Sequence, residues 1–393
     1  MVEWKELGSL GTFENIGTDK KIIEGEKLVT LLNYVDVYHH KHIDASIPQM
    51  TVSASDRKIK DCSVERGDIF VTPSSETVDD IGHSSVIEET IPNAVYSYHI
   101  MRFRLFEKDM LLSYYINYIF DTENVKKQIL KKAQGLTRFG LSKDKFASIQ
   151  IPVPSLSEQQ RIVEQLDTFT SSIENLKQQI AQRRKQYEYY RDQLLDLEGK
   201  EGVEMKTLGE IGEFIRGNGI QKNDFVEEGF GCIHYGQIHA KYGFSAKETI
   251  SKINEPLYKR CKKARKGDVV LATTSEDAEG VAKPFVWLGN EEVAVSGDAF
   301  IYHHNQNGKF MGHQFLTHKF LQFKIRNATG AKVVRISGDN MAKFEVALPS
   351  IEEQQHIVSI LDTFEASIAN LEAQLALHEK QYEYYRNKLL TFD

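Results

Sequence analysis

Two segments of the chain carry apolar residues at alternating steps of four and three. The first segment, 156–198, places them at Ile162, Leu166, Phe169, Ile173, Leu176, Ile180, Tyr187, Tyr190, Leu194 and Leu197. The second, 350–393, places them at Ile357, Leu361, Phe364, Ile368, Leu371, Leu375, Tyr382, Tyr385, Leu389 and Phe392. A sustained 3.5-residue period is the seam of a coiled coil. Because so narrow a stripe needs a partner, we predict two long helices that form an antiparallel coiled coil.

The rest of the chain has a different pattern. Ile69-Phe70-Val71, Val269-Val270-Leu271 and Val293-Ala294-Val295 are short apolar runs bounded by turn formers, which predicts strands. Residues 111–132 and 312–326 have a helical pattern. We therefore predict an α+β protein in which mixed α/β domains are joined by the two helices.

An internal repeat orders these elements. Pro154-Ser155-Leu156-Ser157-Glu158-Gln159-Gln160 returns as Pro349-Ser350-Ile351-Glu352-Glu353-Gln354-Gln355, and 26 of 42 positions are identical between 154–195 and 349–390. A weaker repeat, in which Arg66-Gly67-Asp68 returns as Lys266-Gly267-Asp268, relates the intervening parts. The predicted domains are 1–155 and 199–349, followed by spacer helices at 156–198 and 350–393 respectively.

The start of each helix carries a sequence signal. Pro154 and Pro349 suit helix entry, and Ser157-x-x-Gln160 resembles a capping box. We expect each helix to begin there.

Charge refines the picture. The net charge is −7. The acidic excess lies in the two helical segments, since the remaining residues carry 40 Lys+Arg and 40 Asp+Glu. A neutral domain with local basic clusters is compatible with nucleic-acid binding, which depends on where positive charge lies.

Several classes of chemistry lack a motif. There is no GxxxxGK[ST] loop, no HExxH, and no convincing glycine-rich loop for S-adenosylmethionine. The three cysteines are far apart, so neither a disulfide framework nor a zinc site is indicated, and a wet polar loop is favoured over a metal cluster at 39–42. With no signal peptide or apolar span, we expect a cytoplasmic protein without a catalytic centre, a metal or a cofactor of its own.

Two basic clusters occupy the same place in the repeat. Segment 259–266 has six positive residues in eight, and its counterpart is the stretch from Arg57 to Lys60. Phosphate contacts supply affinity and position without sequence information. The predicted phosphate-binding side chains are Arg57, Lys58, Lys259, Arg260, Lys262 and Lys263.

Base reading needs side chains with paired hydrogen-bonding groups, and polar stretches flank the predicted strands. For any single one of them an ordinary surface loop is the favoured interpretation, but as a set they suit a binding face better than an active site. The candidates are Asn33, Tyr34, His39, His40, Lys41, Thr72, Ser74, Ser75, Arg102, Arg104, Arg138, His234, Gln237, His239, Lys241, Thr273, Thr274, Lys332 and Arg335.

The run Tyr187-Glu188-Tyr189-Tyr190-Arg191 returns unchanged at 382–386. Tyr187 and Tyr190 lie on the seam, where packing accounts for them. The off-seam residues repeat beyond what a seam demands, which predicts a docking surface for a partner. These residues are Glu188, Tyr189, Arg191, Glu383, Tyr384 and Arg386.

The Pro-Ser-x-x-Glu-Gln-Gln-x-Ile-Val start and the Gln-Tyr-Glu-Tyr-Tyr-Arg end of each long helix resemble the conserved regions of type I restriction-modification specificity subunits. The alternation of variable and constant segments is similar too, over essentially the whole chain. The resemblance implies that each variable domain is a target-recognition domain reading one half of a split DNA target. It also implies that the helices set the gap and dock two copies of a methyltransferase (M) subunit, which binds S-adenosylmethionine, with restriction (R) subunits as further partners.

Other interpretations remain open from the residues. A coiled-coil scaffold with protein-binding globular domains fits the lack of net positive charge. A solitary specificity subunit without active partners has the same sequence features. An enzyme acting alone is disfavoured by the missing cofactor loop.

Overall fold

The computed structural model describes residues 2–107, 109–330 and 333–392. They divide into two compact units: the first unit is Met1–Leu176 with Gln374–Asp393, and the second unit is Lys177–Ala373. Each unit therefore contains one mixed α/β part, about half of one long helix and about half of the other. The two units are described in turn.

The first unit contains twelve named strands within the described residues. They are β1 (Glu3–Glu6), β2 (Gly11–Glu14), β3 (Lys27–Leu32), β4 (His42–Ile43), β5 (Met50–Ala54), β6 (Ile69–Val71), β7 (Ser74–Ser75), β8 (Ser84–Ile87), β9 (Ala94–Tyr96), β10 (Met101–Leu105), β11 (Phe139–Gly140) and β12 (Gln150–Val153). A five-stranded sheet has the order β2-β10-β6-β8-β4, and a three-stranded sheet has the order β5-β3-β9. Two ladders, β1 with β12 and β7 with β11, complete the pairing.

The second unit repeats this plan. Its strands are β13 (Glu204–Thr207), β14 (Gly212–Arg216), β15 (Phe225–Val226), β16 (Phe230–Ile233), β17 (Ser245–Ala246), β18 (Ser251–Ile253), β19 (Lys263–Ala264), β20 (Val269–Ala272), β21 (Thr274–Ser275), β22 (Lys283–Trp287), β23 (Val293–Val295), β24 (Ala299–His304), β25 (Val334–Arg335) and β26 (Glu345–Leu348). The sheet orders are β14-β24-β20-β22-β17 and β15-β18-β16-β23-β19, with ladders β13-β26 and β21-β25. The same strand neighbours recur because the predicted repeat extends through the variable parts.

The helices follow the same order in both copies. The first copy has α1 (Leu7–Leu10), α2 (Tyr34–His39), α3 (Asp56–Asp61), α4 (Met110–Ile119), α5 (Glu123–Lys132), α6 (Lys143–Ala147) and α7 (Leu156–Leu195). The second has α8 (Leu208–Ile211), α9 (Tyr235–Ala240), α10 (Glu255–Arg260), α11 (Gly308–Gln314), α12 (His318–Asn327), α13 (Gly338–Met341) and α14 (Ile351–Leu389). Short 3-10 turns lie at Val78–Asp80 and Lys222–Asp224.

The three predicted strands are confirmed, and burial explains their continuous apolar character. Ile69, Phe70 and Val71 are all fully buried, as are Val269, Val270 and Leu271 in the second copy. Side chains on the two faces of β6 enter different cores: Ile69 and Val71 pack with Phe103 and Tyr115, whereas Phe70 packs with Tyr96. A strand covered on both faces reads as an uninterrupted apolar run.

The predicted antiparallel packing of α7 against α14 is confirmed inside each unit. In the first unit, the rings of Phe169 and Tyr385 stack with centroids 5.2 Å apart, and Ser172 Oγ lies 2.9 Å from His378 Nδ1. In the second unit, Tyr190 stacks on Phe364 at 5.4 Å, and Arg184 donates to Glu372 over 2.5 Å. In both units, the contact that lies later along α7 lies earlier along α14. The two helices therefore run antiparallel.

Helix boundaries differ from several predictions. The run at 111–132 is two helices, because Thr122 interrupts it and its hydroxyl accepts from Val125 N at the start of α5. The run at 312–326 is interrupted in the same way by Thr317, whose hydroxyl accepts from Phe320 N. Both threonines act as N-caps.

The predicted capping box at Ser157 and Gln160 is wrong. Helix α7 already begins at Leu156, and Gln160 donates to Glu164 inside the helix instead. In the second copy Ser350 is the cap, since its hydroxyl accepts from Glu353 N. The buried Gln159 and Gln354 side chains each donate to the carbonyl of the preceding proline, Pro154 or Pro349. The first glutamine of the repeated Glu-Gln-Gln start thus has a structural role in both copies.

Among the described residues, no helix combines the length and apolar character needed to cross a bilayer.

Candidate nucleic-acid interface

A short hairpin projects from the first unit beside β7. Residues 134–140, called here the first hairpin, are closed by two backbone hydrogen bonds between Gln134 and Gly140, with N–O distances of 3.0 and 2.8 Å. Strand β11 at its end pairs with β7, which places Phe139 opposite Ser75. Leu136 is 95% exposed. Arg138 reaches back to donate to Ser74 Oγ over 3.4 Å.

Helix α2 begins next to this hairpin. Asn33 caps the helix by accepting from Val35 N, so Tyr34 occupies the first helical position. Burial and nearby Asp80 raise the pKa of Tyr34, while a hydrogen bond with Thr72 and the charge of Arg138 act in the opposite direction. These contacts place the Tyr34 ring, the β6–β7 connection and the hairpin on one surface.

The loop that carries Lys20 adds positive charge to that surface, close to His99. Burial lowers the pKa of His99, and the charges of Lys20 and Arg138 lower it further. His99 therefore stays neutral at pH 7, where its ring holds one donor and one acceptor. Its ring packs on the exposed Tyr98 with centroids 3.9 Å apart. Neutral imidazole, phenol and guanidinium groups together suit hydrogen bonding to base edges or phosphates.

The second unit builds the corresponding surface from the same elements. The second hairpin, of which the structure describes residues 329–330 and 333–335, is closed by two hydrogen bonds of 2.8 Å between Thr329 and Arg335. Strand β25 pairs with β21, so that Arg335 lies opposite Thr274. His239 Nε2 lies 3.0 Å from the Thr274 carbonyl oxygen, and Lys283 donates to the His239 carbonyl over 3.1 Å. A pocket beside this surface is lined by Arg216, Gln221, Tyr235 and Asp298.

The basic clusters lie next to these loops in both units. In the second unit Lys262 N donates to the side chain of Asn218, two residues beyond Arg216. In the first unit Lys58 Nζ donates to the carbonyls of Ile16 and Gly17, just before Lys20. Exposure also fits phosphate contact, since Arg57, Lys58, Lys259, Arg260 and Lys262 are all exposed and Lys263 is half-buried over the Tyr258 ring.

Eight of the predicted base-reading side chains make internal contacts instead, and we remove them from the candidate face. Arg102 is 5% exposed, pairs with Glu14 and lies over the Tyr96 ring. Arg104 is paired with Asp68 over 2.6 Å. The others are held by helix caps, loop hydrogen bonds or a buried ion pair, and they are Asn33, Lys41, Thr72, His234, Gln237 and Thr273.

Lys41 is a charged residue for which the sequence suggested a surface role, but its ammonium group is buried and paired inside the fold. Its ammonium pairs with Asp121 over 2.8 Å and donates to the Asn117 carbonyl over 3.0 Å. Burial lowers the pKa of Lys41, and Asp121 opposes that effect. A buried ammonium needs such partners, so this lysine is committed to the fold.

The remaining candidates are accessible. Lys332 lies outside the described residues. Those that the structure leaves exposed or half-buried are Tyr34, His39, His40, Ser74, Ser75, Arg138, His239, Lys241, Thr274 and Arg335. Their contact with bases stays a prediction.

Five further residues at this surface were missed by sequence reasoning: Lys20, Tyr98, His99, Arg216 and Gln221. The bridges Thr18–Ser97 and Asn218–Ser296 bring their loops together in each unit. A signal was available, because Gly17 and Gly217 recur at the offset of the weaker repeat and mark equivalent loops. Pairing between those loops and the segments after β9 and β23 is long-range and does not follow from local pattern.

The predicted docking residues divide into exposed and buried members. Tyr189 and Tyr384 are 61% and 60% exposed, and Glu188 and Glu383 are exposed beside them. Arg191, in contrast, is buried over the Tyr187 ring and paired with Asp192 over 2.7 Å. Arg386 lies half-buried over the Tyr382 ring in the same way. The arginines therefore support the tyrosines of the seam, and Arg191 is unavailable to a partner.

No group of three or more potential metal-binding side chains occurs in the described part of the chain. His42, in the histidine-rich stretch, lies 3.3 Å from Glu88 and packs edge-on against Tyr114.

The chain matches a known family model over most of its length. Residues 2–183 and 200–377 match the model described as type I restriction modification DNA specificity domain. The type I restriction enzyme EcoR124I/EcoR124II specificity subunit of Escherichia coli is 32% identical over 269 residues, which cover 66% of this chain and 66% of that protein. A putative type I restriction enzyme specificity subunit of Haemophilus influenzae is 29% identical over 284 residues, 66% of this chain and 68% of that protein. The match thus spans just under two thirds of the length of the first relative.

Solved structures show the same fold. The S subunit of a type I restriction-modification system from M. genitalium superposes with a TM-score of 0.56 at 14% identity, covering 100% of this chain and 97% of that chain. A chain from a structure of complex assembly and conformational transition in the type I R-M system gives a TM-score of 0.57 at 15% identity, with 99% and 96% covered.

Proposed function

Since the chain belongs to the family of type I restriction-modification DNA specificity proteins, we propose that it selects the DNA target of such a system and leaves the chemistry to its partners. One observation carries the proposal: both units present a hairpin and a strand end on the same framework, but with different accessible side chains. Arg138 and Ser74 in the first unit are replaced by Val333 and Thr274 in the second. Equal frameworks with unequal surfaces suit two domains that read different sequences.

In this proposal each unit reads one half of a split target. The exposed basic clusters contact phosphates and hold the domain in register, and the hairpin surface contacts bases. The paired helices fix the number of base pairs between the halves. The acidic excess of the helices keeps DNA on the recognition domains by like-charge repulsion.

The catalytic partner is a methyltransferase subunit that binds S-adenosylmethionine. Two copies bind one chain, because the exposed Glu188–Tyr189 and Glu383–Tyr384 pairs recur in both long helices. A repeated surface on one chain provides two equivalent sites. Restriction subunits join the same assembly in a system that cleaves as well as methylates.

Reconstitution tests the proposal. The chain, its methyltransferase partner and radiolabelled S-adenosylmethionine are combined with plasmid DNA, and methyl transfer is counted. We expect transfer only when both proteins are present, at a ratio of two partner copies to one chain by native mass spectrometry. Transfer by the partner alone at equal rate and equal sequence selectivity would contradict the assigned role.

The docking surface is tested by co-purification of the same two proteins. Tyr189→Ala combined with Tyr384→Ala should lower co-purification of the partner without changing the folding of the chain. Exposed aromatic side chains commonly dominate such interfaces. Leu377→Ala, which changes another exposed apolar residue of α14, is the matched control.

A further inference from the structure

The first hairpin, residues 134–140, has features that the fold itself does not require. Its tip residue Leu136 is 95% exposed, the highest exposure among the large apolar side chains of the described residues. An apolar side chain held in water at the tip of a defined turn has no packing role within the chain. Thr137 and Arg138, which follow it, are exposed as well.

The hairpin is nevertheless rigidly built. Gly135 has φ of +145°, and a Cβ at this position would lie 1.9 Å from the Arg138 carbonyl oxygen. Only glycine fits such a turn. In the described part of the second hairpin, Gly330 likewise has φ of +112°, and a Cβ there would lie 2.1 Å from the Val333 carbonyl oxygen. A turn this constrained, kept in both repeats, points to a shared task for a projecting element.

The surroundings of the hairpin indicate what it meets. Arg138 and Lys20 both act on His99, so positive charge lies at its base. Arg138 uses one N–H group on Ser74, which orients the guanidinium and leaves the other donors available. An oriented arginine next to an exposed apolar tip matches the two kinds of contact that base edges accept: paired hydrogen bonds to guanine, and apolar contact with the thymine methyl group.

We infer that the first hairpin is the base-reading element of the first unit: it enters a groove of the DNA, where Arg138 hydrogen-bonds a base edge and Leu136 makes an apolar contact with a neighbouring base. This inference rests on the proposed function and deepens it, because it names the residues that determine one half-site. Phosphate contacts belong to the basic clusters, not to the hairpin.

The test uses the complete complex of the chain with its methyltransferase partner, expressed in a host without other adenine methylation. Single-molecule sequencing reads the methylated motif for the wild type, Arg138→Ala and Leu136→Ala. We expect discrimination at one position of one half-site to fall about five- to a hundredfold in Arg138→Ala, the range for losing a paired base contact. Leu136→Ala should relax an adjacent position of the same half-site. The other half-site should stay unchanged in both variants.

Two control variants lie on α5, which leads into the hairpin. Leu130→Ala removes a leucine that is 39% exposed, and Lys127→Ala removes an exposed positive charge. Both should retain the wild-type motif. The thermal unfolding midpoint of all four variants should equal that of the wild type, because the altered side chains are exposed.

The outcomes separate the two proposals. A wild-type complex that methylates a split motif, together with hairpin variants that retain both half-sites, overturns the hairpin assignment and leaves the specificity function standing. A hairpin variant with a lowered unfolding midpoint also overturns it, since the hairpin would then be structural. A wild-type complex without any split motif contradicts the proposed function itself, and the hairpin assignment falls with it.

Discussion

A fully buried histidine makes the stability of the second unit sensitive to acid. His313 stacks on Phe244 with ring centroids 4.3 Å apart, and its Nδ1 lies 3.1 Å from the Tyr187 hydroxyl. Burial, together with the charges of Arg191 and Lys309, lowers the pKa of His313 to about 3. Glu365 faces the other ring nitrogen at 4.0 Å, beyond hydrogen-bond distance, and burial raises the pKa of this carboxyl, which weakens its support for a charged imidazole.

The sign and size of the effect follow from proton linkage. His313 stays neutral in the folded state between pH 7 and pH 5, whereas the unfolded imidazole, with a pKa of about 6.5, takes up a proton. The unfolded state is therefore favoured as the pH falls, and the loss of unfolding free energy between pH 7 and pH 5 is about 2 kcal/mol for this residue. His304, whose pKa burial lowers to about 4, adds to the acid sensitivity of the same unit.

The perturbation is His313→Gln, which keeps an acceptor for Tyr187 and removes the titrating ring. Trp287 is 2% exposed in the second unit and reports its unfolding by fluorescence, and Trp4→Phe removes the other tryptophan. Urea unfolding is measured at pH 7 and pH 5 in this background. The variant should be less stable than its parent at pH 7, and the difference should shrink by about 2 kcal/mol at pH 5.

His304 and the remaining charged groups are present in both proteins, so they cancel from that difference. His318→Gln, at an exposed position of α12, controls for the loss of an imidazole and should retain the acid sensitivity of the parent. An equal difference between His313→Gln and its parent at both pH values would refute the reasoning.

Three further predictions concern the helix start, the hairpin turn and the phosphate contacts. Gln354→Ala should lower the unfolding free energy of the second unit by about 1–3 kcal/mol in urea, because a buried amide that donates to Pro349 and Gln306 is lost; the exposed neighbour Gln355→Ala should cost less, and equal costs would contradict the argument. Gly135→Ala should lower methylation through one half-site at least about tenfold, since the turn cannot hold a Cβ; wild-type methylation would show that the turn tolerates one. Arg260→Ala should weaken binding equally on target and non-target DNA and reduce the slope of log affinity against log salt by about 1, and an unchanged slope would remove Arg260 from the phosphate contacts.

Sequence periodicity was sufficient to predict the two long helices, because an apolar seam repeated over ten positions is satisfied most simply by a pair of packed helices. The stacking of Phe169 on Tyr385 and of Tyr190 on Phe364 follows from that seam. The interruptions at Thr122 and Thr317 were not anticipated, since threonine is compatible with a helix interior. Its capping role depends on the backbone conformation of the cap residue, which the sequence pattern does not reveal. Helix ends predicted at 198 and 393 lie at Leu195 and Leu389.

The candidate interface was harder to predict, because polarity does not reveal where a side chain points. Arg102 and Arg104 lie on β10, and their alternation looks like that of an exposed edge. Burial beside Glu14 and Asp68 turns both into structural ion pairs. His99 and Lys20 were missed for the opposite reason, since only the long-range bridge between Thr18 and Ser97 brings them to the hairpin. The boundaries of the recognition domains and the docking role of the exposed tyrosines remain predictions.

The central claim is that this chain selects a split DNA target, one half through each unit. The most direct test is single-molecule sequencing of adenine methylation in cells that carry the methyltransferase partner, with and without this gene. The claim predicts that one motif, two short half-sites separated by a fixed gap, is methylated only when the gene is present. An identical methylation pattern in both strains, with the two proteins co-purifying, would contradict it.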